Sequence, residues 1–321
     1  MVISPLVLLG TVVLILLIIG YVEASNHHRV IATIPLRIHV NGTRGKSSVT
    51  RLIAAGLRAG GLRTFAKTTG TAPRIIDAEG KDRLIHRLRS ASIGEQIKLM
   101  RYFAKEKPDV VVMECMAVQP EYQWISEQKM IKSHIGVITN ARPDHLEEMG
   151  PTLDDVKKSL SNSVPYNGKV VLGEAAMINT IAPVAEYRKS ELRIADGKKI
   201  SEKDLADFSY LEHHQNVAVA LDVCSAAGVK EDIALTGMKK VKPDLGALVV
   251  SKLDFGNGSI LFVNSMAAND PVSTLKIWNF VERRYPLEGY TCIYLNCCLL
   301  YTSDAADEGL GVALGGRRII K

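Results

Sequence analysis

The chain has 321 residues, of which 47% are hydrophobic and 23% charged, enough for two ordinary domains and a sizeable core, which excludes a disordered, collagenous or mucin-like protein. Aromatic residues make up only 6%, and 40 Lys and Arg against 34 Asp and Glu give a net charge of +6. That balance argues against a base-stacking nucleic-acid platform and fits an anionic substrate or an anionic membrane surface. Five cysteines (Cys115, Cys224, Cys292, Cys297 and Cys298) form no C-x-x-C pair. They predict neither a disulfide framework nor a zinc site, and they suit a reducing compartment.

Residues 2–22 carry no charged side chain and are long enough to cross a bilayer as one helix. No Lys or Arg precedes them, unlike the basic start of a cleavable signal peptide. Positive charge begins only afterwards, at Arg29 and Arg37 with His27 and His28 nearby. The positive-inside rule therefore predicts a single-span anchor with Met1 outside and the body of the protein cytoplasmic. Residues 35–40 (PLRIHV) predict a strand leading into a glycine-containing loop, Gly42-Thr43-Arg44-Gly45-Lys46-Ser47-Ser48. Val49, Leu52, Ile53 and Leu57 then fall at helical spacing up to a stop at Gly60-Gly61. Residues 109–114, 134–140 and 169–173 are short apolar runs of the buried parallel-strand kind, with helical patterns such as 94–105 between them. The fold class is therefore α/β with a mostly parallel sheet. Residues 74–87 predict a β-hairpin inserted in that sheet. Pro243-Asp244-Leu245-Gly246 marks a break, and residues 248–263 read as two strands around Gly256-Asn257-Gly258. From Cys298 onward the text shares no periodicity with what precedes it and resembles a translated sequencing adapter, so residues 298–321 are expected to be a non-native tail.

The strongest chemical signal is the Gly42–Ser48 loop between a strand and a helix. Glycines let backbone N–H groups wrap around phosphate oxygens, and the helix N-terminus adds positive potential. Lys46 would neutralise phosphate charge and the Ser47 hydroxyl would ligate Mg²⁺. The spacing departs from G-x-x-x-x-G-K-[ST], because Val40 stands six residues before Lys46. Glu114 closes one apolar strand, at the edge where parallel sheets bind ligands, and a carboxylate there can hold a nucleotide's Mg²⁺. Asn140, Asp144 and His145 follow the next strand. His145 can ligate a metal as neutral imidazole, while Asp144 on its own reads as a helix N-cap. His213 and His214 lack a partner at metal spacing and read as surface or capping residues.

The Gly42–Ser48 loop, Thr69-Gly70-Thr71, Glu114, the Asn140…Asp144-His145 segment and Asn216 occur in the order found in Mur-ligase-like ATP-dependent amide ligases, and the chain resembles that family over residues 37–270. Within the family it is most similar to the membrane-anchored ligase subunits of poly-γ-glutamate synthases, whose C-terminal-domain signature residues 262–274 resemble. The resemblance implies residues 1–22 as transmembrane anchor, 23–34 as juxtamembrane linker and 35–241 as ATP-binding domain. A linker (242–247) and the start of a truncated C-terminal domain (248–297) follow. It implies ATP and Mg²⁺ as cofactors, with Gly42, Thr43, Arg44, Gly45, Lys46, Ser47, Ser48 and Asn216 on the nucleotide. Ser47, Glu114 and His145 would serve the metal, and Lys46, Glu114 and His145 the catalysis. Leu160 stands in the register of the family's carbamylated lysine, with Lys157 and Lys158 nearby, so either the metal is supported differently or the register is shifted, and no carbamate is assigned.

The expected function is ligation of glutamate through γ-linkages by an acyl phosphate, beside other membrane subunits of a synthase and export complex, with no nucleic acid involved. Only 41 residues precede Gly42, too few for the UDP-sugar domain of cell-wall ligases. The rival expectations are a folylpolyglutamate-synthase-like ligase, a nucleotide-binding membrane scaffold, or a chain inert for want of a complete C-terminal domain.

Overall fold

The computed structural model describes residues 4–70, 72–87, 92–208, 210, 212–243, 248–256, 258–264, 271–285 and 292. Residues 298–321, the expected tail, lie outside them, as do Thr71 and residues 244–247 of the expected linker. Contacts divide the chain into two units, Met1–Asn264 and Ser265–Lys321.

The first unit opens with helix α1 (Pro5–Ala32), whose large apolar side chains from Leu6 to Val22 are exposed. Residues 23–32 hold no Gly or Pro, and the helix runs straight through them. Its last turns dock on the body. His27 Nε2 lies 2.7 Å from the Met130 carbonyl, and Ile31 is buried beside Phe103 and Ile131. Arg37 donates to the carbonyls of Ile31, in the last turn of α1, and of Ile34 just beyond it, both at 2.8 Å.

Strand β1 (Leu36–Asn41) and helix α2 (Lys46–Ala59) follow, then β2 (Thr64–Thr68), β3 (Arg74–Ile76), β4 (Asp82–Leu84), α3 (Glu95–Lys105) and β5 (Val110–Glu114). Helix α4 (Pro120–Ile125) continues as a wider π turn (Ser126–Ile131) into β6 (Ile135–Ile138). Next come α5 (Leu146–Met149), α6 (Leu153–Ser161), β7 (Lys169–Leu172), α7 (Ile178–Tyr187), β8 (Glu191–Ile194), α8 (Glu202–Ala206), α9 (His214–Ala226) and α10 (Glu231–Met238). The sheet order is β4-β3-β2-β5-β1-β6-β7-β8. The six strands from β2 to β8 in that order run parallel. The hairpin expected within residues 74–87 is β3–β4; it extends the sheet at one edge, antiparallel, instead of interrupting it. An antiparallel ribbon of β9 (Val249–Phe255) and β10 (Gly258–Asn264) closes the unit. Among the described residues of the second unit, the regular element is helix α11 (Pro271–Arg284).

Side chains alternate across a strand, so this sheet buries both faces. Ile38, Val40, Ala66, Val110, Val112 and Val137 pack under α2, α9 and α10. On the opposite face Phe65, Val111 and Met113 meet α3 and the end of α1, while Ile138, Val170 and Leu172 meet α6 and α7. Leu160 is fully buried in that last cluster, so its apolar identity is used for packing.

Candidate active site

Neighbouring parallel strands β5, β1 and β6 end at the same edge of the sheet, with Val40 opposite Glu114 and Asn41 opposite Ile138. The loops after them therefore converge. Two glycines let the loop before α2 fold there. Gly42 has φ +131°, and a Cβ on it would lie 2.0 Å from Thr139 Oγ1. Gly45 has φ +78°, with Asn216 Oδ1 only 2.9 Å from where its Cβ would be. An L side chain at either position would be strained and would fill the cradle.

Asn140 clamps this loop. Its Oδ1 accepts from Thr43 Oγ1 at 2.7 Å and from the Arg44 N–H at 3.0 Å, and its Nδ2 donates to the Arg44 carbonyl at 3.0 Å. Thr139 Oγ1 donates to the same carbonyl at 2.7 Å. Below the loop, Asn41 Nδ2 donates to Gln123 Oε1 at 2.8 Å and to Ser163 Oγ at 2.6 Å, and Asn41 Oδ1 accepts from the Gly42 N–H at 2.8 Å. Lys46 Nζ turns back to the carbonyls of Gly42 (2.6 Å) and Thr43 (3.3 Å). Ser48 sits half-buried in the first turn of α2.

Glu114 is buried and joined to this loop. Ser47 Oγ donates to Glu114 Oε2 at 2.9 Å, the Thr69 N–H donates to the same oxygen at 2.7 Å, and Thr69 Oγ1 donates to Oε1. Lys46, Ser47, Thr69 and Glu114 thus come from three chain segments to one place. His145 follows β6 at the head of α5 in the left-handed region, φ +49°, and is partly exposed. Its ring nitrogens lie 3.9 Å from Asp144 and Glu148, and among the described residues no hydrogen bond ties it to Ser47 or Glu114. Asp144 does not cap the helix. His145 holds the N-cap position, and Asp144 pairs with Arg44 at 3.3 Å, drawn away by the loop's positive charge. Among the described residues no three His, Cys, Asp or Glu side chains gather as a metal cluster.

Asn216, in the first turn of α9, faces Gly45 and donates to Glu212 Oε1 at 2.8 Å. Glu212 is itself buried; burial raises its pKa, although Asn216 and the His213 N–H favour the charged form. His213 stands at the N-cap of α9, and His214 pairs with Glu202 at 3.3 Å. Sequence reasoning passed over Lys67, a fully buried lysine in β2. Its Nζ lies 3.5 Å from Glu95, and burial lowers its pKa against the pull of Glu95 and Glu114. The signal was a lone cation in the run TFAKT, which burial on both sheet faces makes costly without a partner.

A family profile described as the Mur ligase middle domain matches residues 40–251. The chain belongs to the Mur ligase family. A second profile, the poly-gamma-glutamate synthase CapB C-terminal domain, matches residues 250–298. The capsule biosynthesis protein CapB of Bacillus anthracis is 38% identical over 282 residues, covering 87% of this chain and 61% of that protein. The PGA synthase CapB of Bacillus subtilis (strain 168) is 37% identical over 286 residues, covering 88% and 72%. The chain therefore spans about three fifths to seven tenths of the length of these relatives. Solved structures share the fold. E. coli FolC in complex with DHPP and ADP gives a TM-score of 0.61 at 17% identity, over 84% of this chain and 70% of that one. An FPGS-AMPPCP complex gives 0.61 at 16%, over 89% and 81%.

Proposed function

We propose that the chain is the ATP-dependent ligase component of a poly-γ-glutamate synthase, held in the membrane by α1 with its body in the cytoplasm. The observation that carries the reading is the convergence of Lys46, Ser47 and Glu114 at one sheet edge, in a chain closely related to a PGA synthase. A terminal carboxylate of the growing chain attacks the γ-phosphorus of ATP, forming an acyl phosphate and releasing ADP. The amine of an incoming glutamate then attacks the acyl carbon; phosphate leaves with the C–O bond electrons, the amine loses a proton, and an amide remains.

This chain's part is positioning and charge neutralisation. The loop N–H groups at the start of α2 face the phosphates, and Lys46 leaves its two carbonyls to neutralise the moving phosphoryl group. Asn140 and Asn41 hold the loop in shape. Asn216, against Gly45, borders the nucleotide. The cradle that a Cβ would fill, and a buried carboxylate already bound to the Ser47 hydroxyl, fit a nucleotide with its cation. Ser47 and Glu114 would hold Mg²⁺, with His145 on the adjoining loop, and the ion would supply charge stabilisation on the phosphoryl oxygens. Residues 248–297 belong, in this reading, to the C-terminal ligase domain.

The test is polymer synthesis from radiolabelled glutamate in membranes containing the full chain and its partner subunits. Lys46→Ala should reduce polymer at least about 100-fold while leaving the protein folded. Near wild-type synthesis by that variant refutes the reading, and ligation to a pteroate acceptor in place of glutamate polymer would favour the folate-type alternative.

A further inference from the structure

A second cavity lies away from the phosphate loop. It is a groove of about 1230 Å³ between α2, the β3–β4 hairpin, α10 and the segment after α10. Its charged lining is mostly cationic: Arg51, Arg58, Arg74, Lys81, Lys240 and Lys242. Three acids share it, Glu79, Asp82 and Asp232. Asp82 is already engaged, with Arg51 at 2.8 Å and Arg74 at 3.7 Å. Lys81, Lys240 and Lys242 are exposed and form no ion pair among the described residues. The groove therefore keeps a positive surplus after its internal pairs are counted.

Its size and place narrow the occupant. Pockets that enclose one small ligand measure about 300–1,000 Å³, so this groove exceeds what a single amino acid needs. It shares α2 with the phosphate loop. Arg51 is five residues beyond Lys46, about 7.5 Å along the helix axis, and Arg58 is a further 10 Å or so away. The groove's α2 wall therefore begins roughly 1.4 turns beyond Lys46, and Lys240 and Lys242 line it from the segment after α10. A chain whose reacting end sits at Lys46 could trail along it.

We infer that this groove binds the growing polymer as a polycarboxylate, with Lys81, Lys240 and Lys242 contacting the free carboxylate that each γ-linked residue carries. The inference rests on the polymer-ligase reading of the active site. Flexible lysines on an exposed wall suit a chain that must slide by one residue per cycle, because each contact is a screened point charge instead of a fixed bidentate pair. It accounts for one use of the chain's basic excess.

The experiment uses the full chain in detergent and a fluorescein-labelled γ-linked glutamate decamer, read by anisotropy. The combined variant Lys81→Glu, Lys240→Glu and Lys242→Glu should bind the decamer at least about tenfold more weakly. It should keep wild-type affinity for a fluorescent ATP analogue, which shows that it is folded. Lys→Arg at the same three positions should restore binding. Decamer affinity within twofold of wild type in the Glu variant overturns the assignment, as does tighter binding of an oligonucleotide of equal charge. The two readings fail separately. If wild type binds the decamer through these lysines yet makes no polymer, the ligase reading falls and the groove stands. If wild type makes polymer and the Glu variant elongates long and short acceptors alike, only the groove falls.

Discussion

Replacing Glu114 separates its charge from its place in the fold. The carboxylate accepts three hydrogen bonds, two on Oε2 (Ser47 hydroxyl and Thr69 N–H) and one on Oε1 (Thr69 hydroxyl). In Glu114→Gln the amide oxygen can take the Oε2 position and keep both of its donors. The new NH₂ then faces the Thr69 hydroxyl, which can rotate to accept. The half-buried Thr69 hydroxyl must then turn its own proton toward water, so the fold should lose about 1 kcal/mol. Glu114→Ala strips the acceptor from all three donors at a site only 2% exposed. Each buried, unsatisfied group costs about 1–3 kcal/mol, and entry of water into the vacated space offsets part of this. A loss of about 3 kcal/mol is expected, roughly 6–12 °C in melting temperature for a domain of this size. The chemistry should rank differently. Both variants lack the negative charge that would hold a cation, so both should slow ligation about 10²–10³-fold. The assays are thermal melting of the purified full chain and acyl-phosphate-dependent phosphate release, across a Mg²⁺ titration. A Glu114→Gln enzyme with near wild-type turnover refutes the assigned role. A Gln variant that melts as low as Ala would show the carboxylate to be structural.

Gly42→Ala should destabilise by about 2 kcal/mol or more, since a positive-φ position and a Cβ driven onto Thr139 add together; calorimetry that finds no change contradicts the loop geometry. His39 and Glu127 form a buried pair at 2.8 Å. Burial alone would lower the His39 pKa, but neighbouring Cys115 and Glu127 outweigh it and hold it up at about 9. A raised folded pKa stabilises fully below the unfolded value of 6.5 and loses that contribution as pH rises towards 9. Melting temperature should therefore fall between pH 6.5 and 9, and Glu127→Gln should flatten that slope; an unchanged slope in the variant disproves the pairing. Protease added to intact cells should leave the body uncut and cleave it only after permeabilisation, because the basic residues lie on the C-terminal side of the apolar span; cleavage without permeabilisation reverses the topology.

Much of the fold is local information. Parallel strands buried on both faces need continuous apolar runs, and VVVME and IGVI carry them. The glycine loop at residues 42–48 was legible because only glycine tolerates the backbone at positions 42 and 45, and because a strand and a helical pattern flank it. The apolar N-terminal helix was legible because residues 2–22 carry no charged side chain. What depended on tertiary structure were the contacts between segments distant in the chain. Asp144 carries the signature of a cap, yet Arg44, a hundred residues earlier, supplies a nearer positive charge. Asn41 shows no motif of its own, and the Asn140…Asp144-His145 segment does not reveal what Asn140 does; both became loop supports only when β1 and β6 were laid side by side and their polar groups had to be satisfied. Glu212 looks like an ordinary surface charge and Lys67 shows only as a lone cation in a strand; their burial follows from which helices cover the sheet. The basic groove is likewise invisible in sequence, since its cations lie on α2, the edge hairpin and the segment after α10, up to about 190 residues apart. Periodicity reports each element's apolar face, whereas the positions of side chains in different elements are set by how those faces pack together.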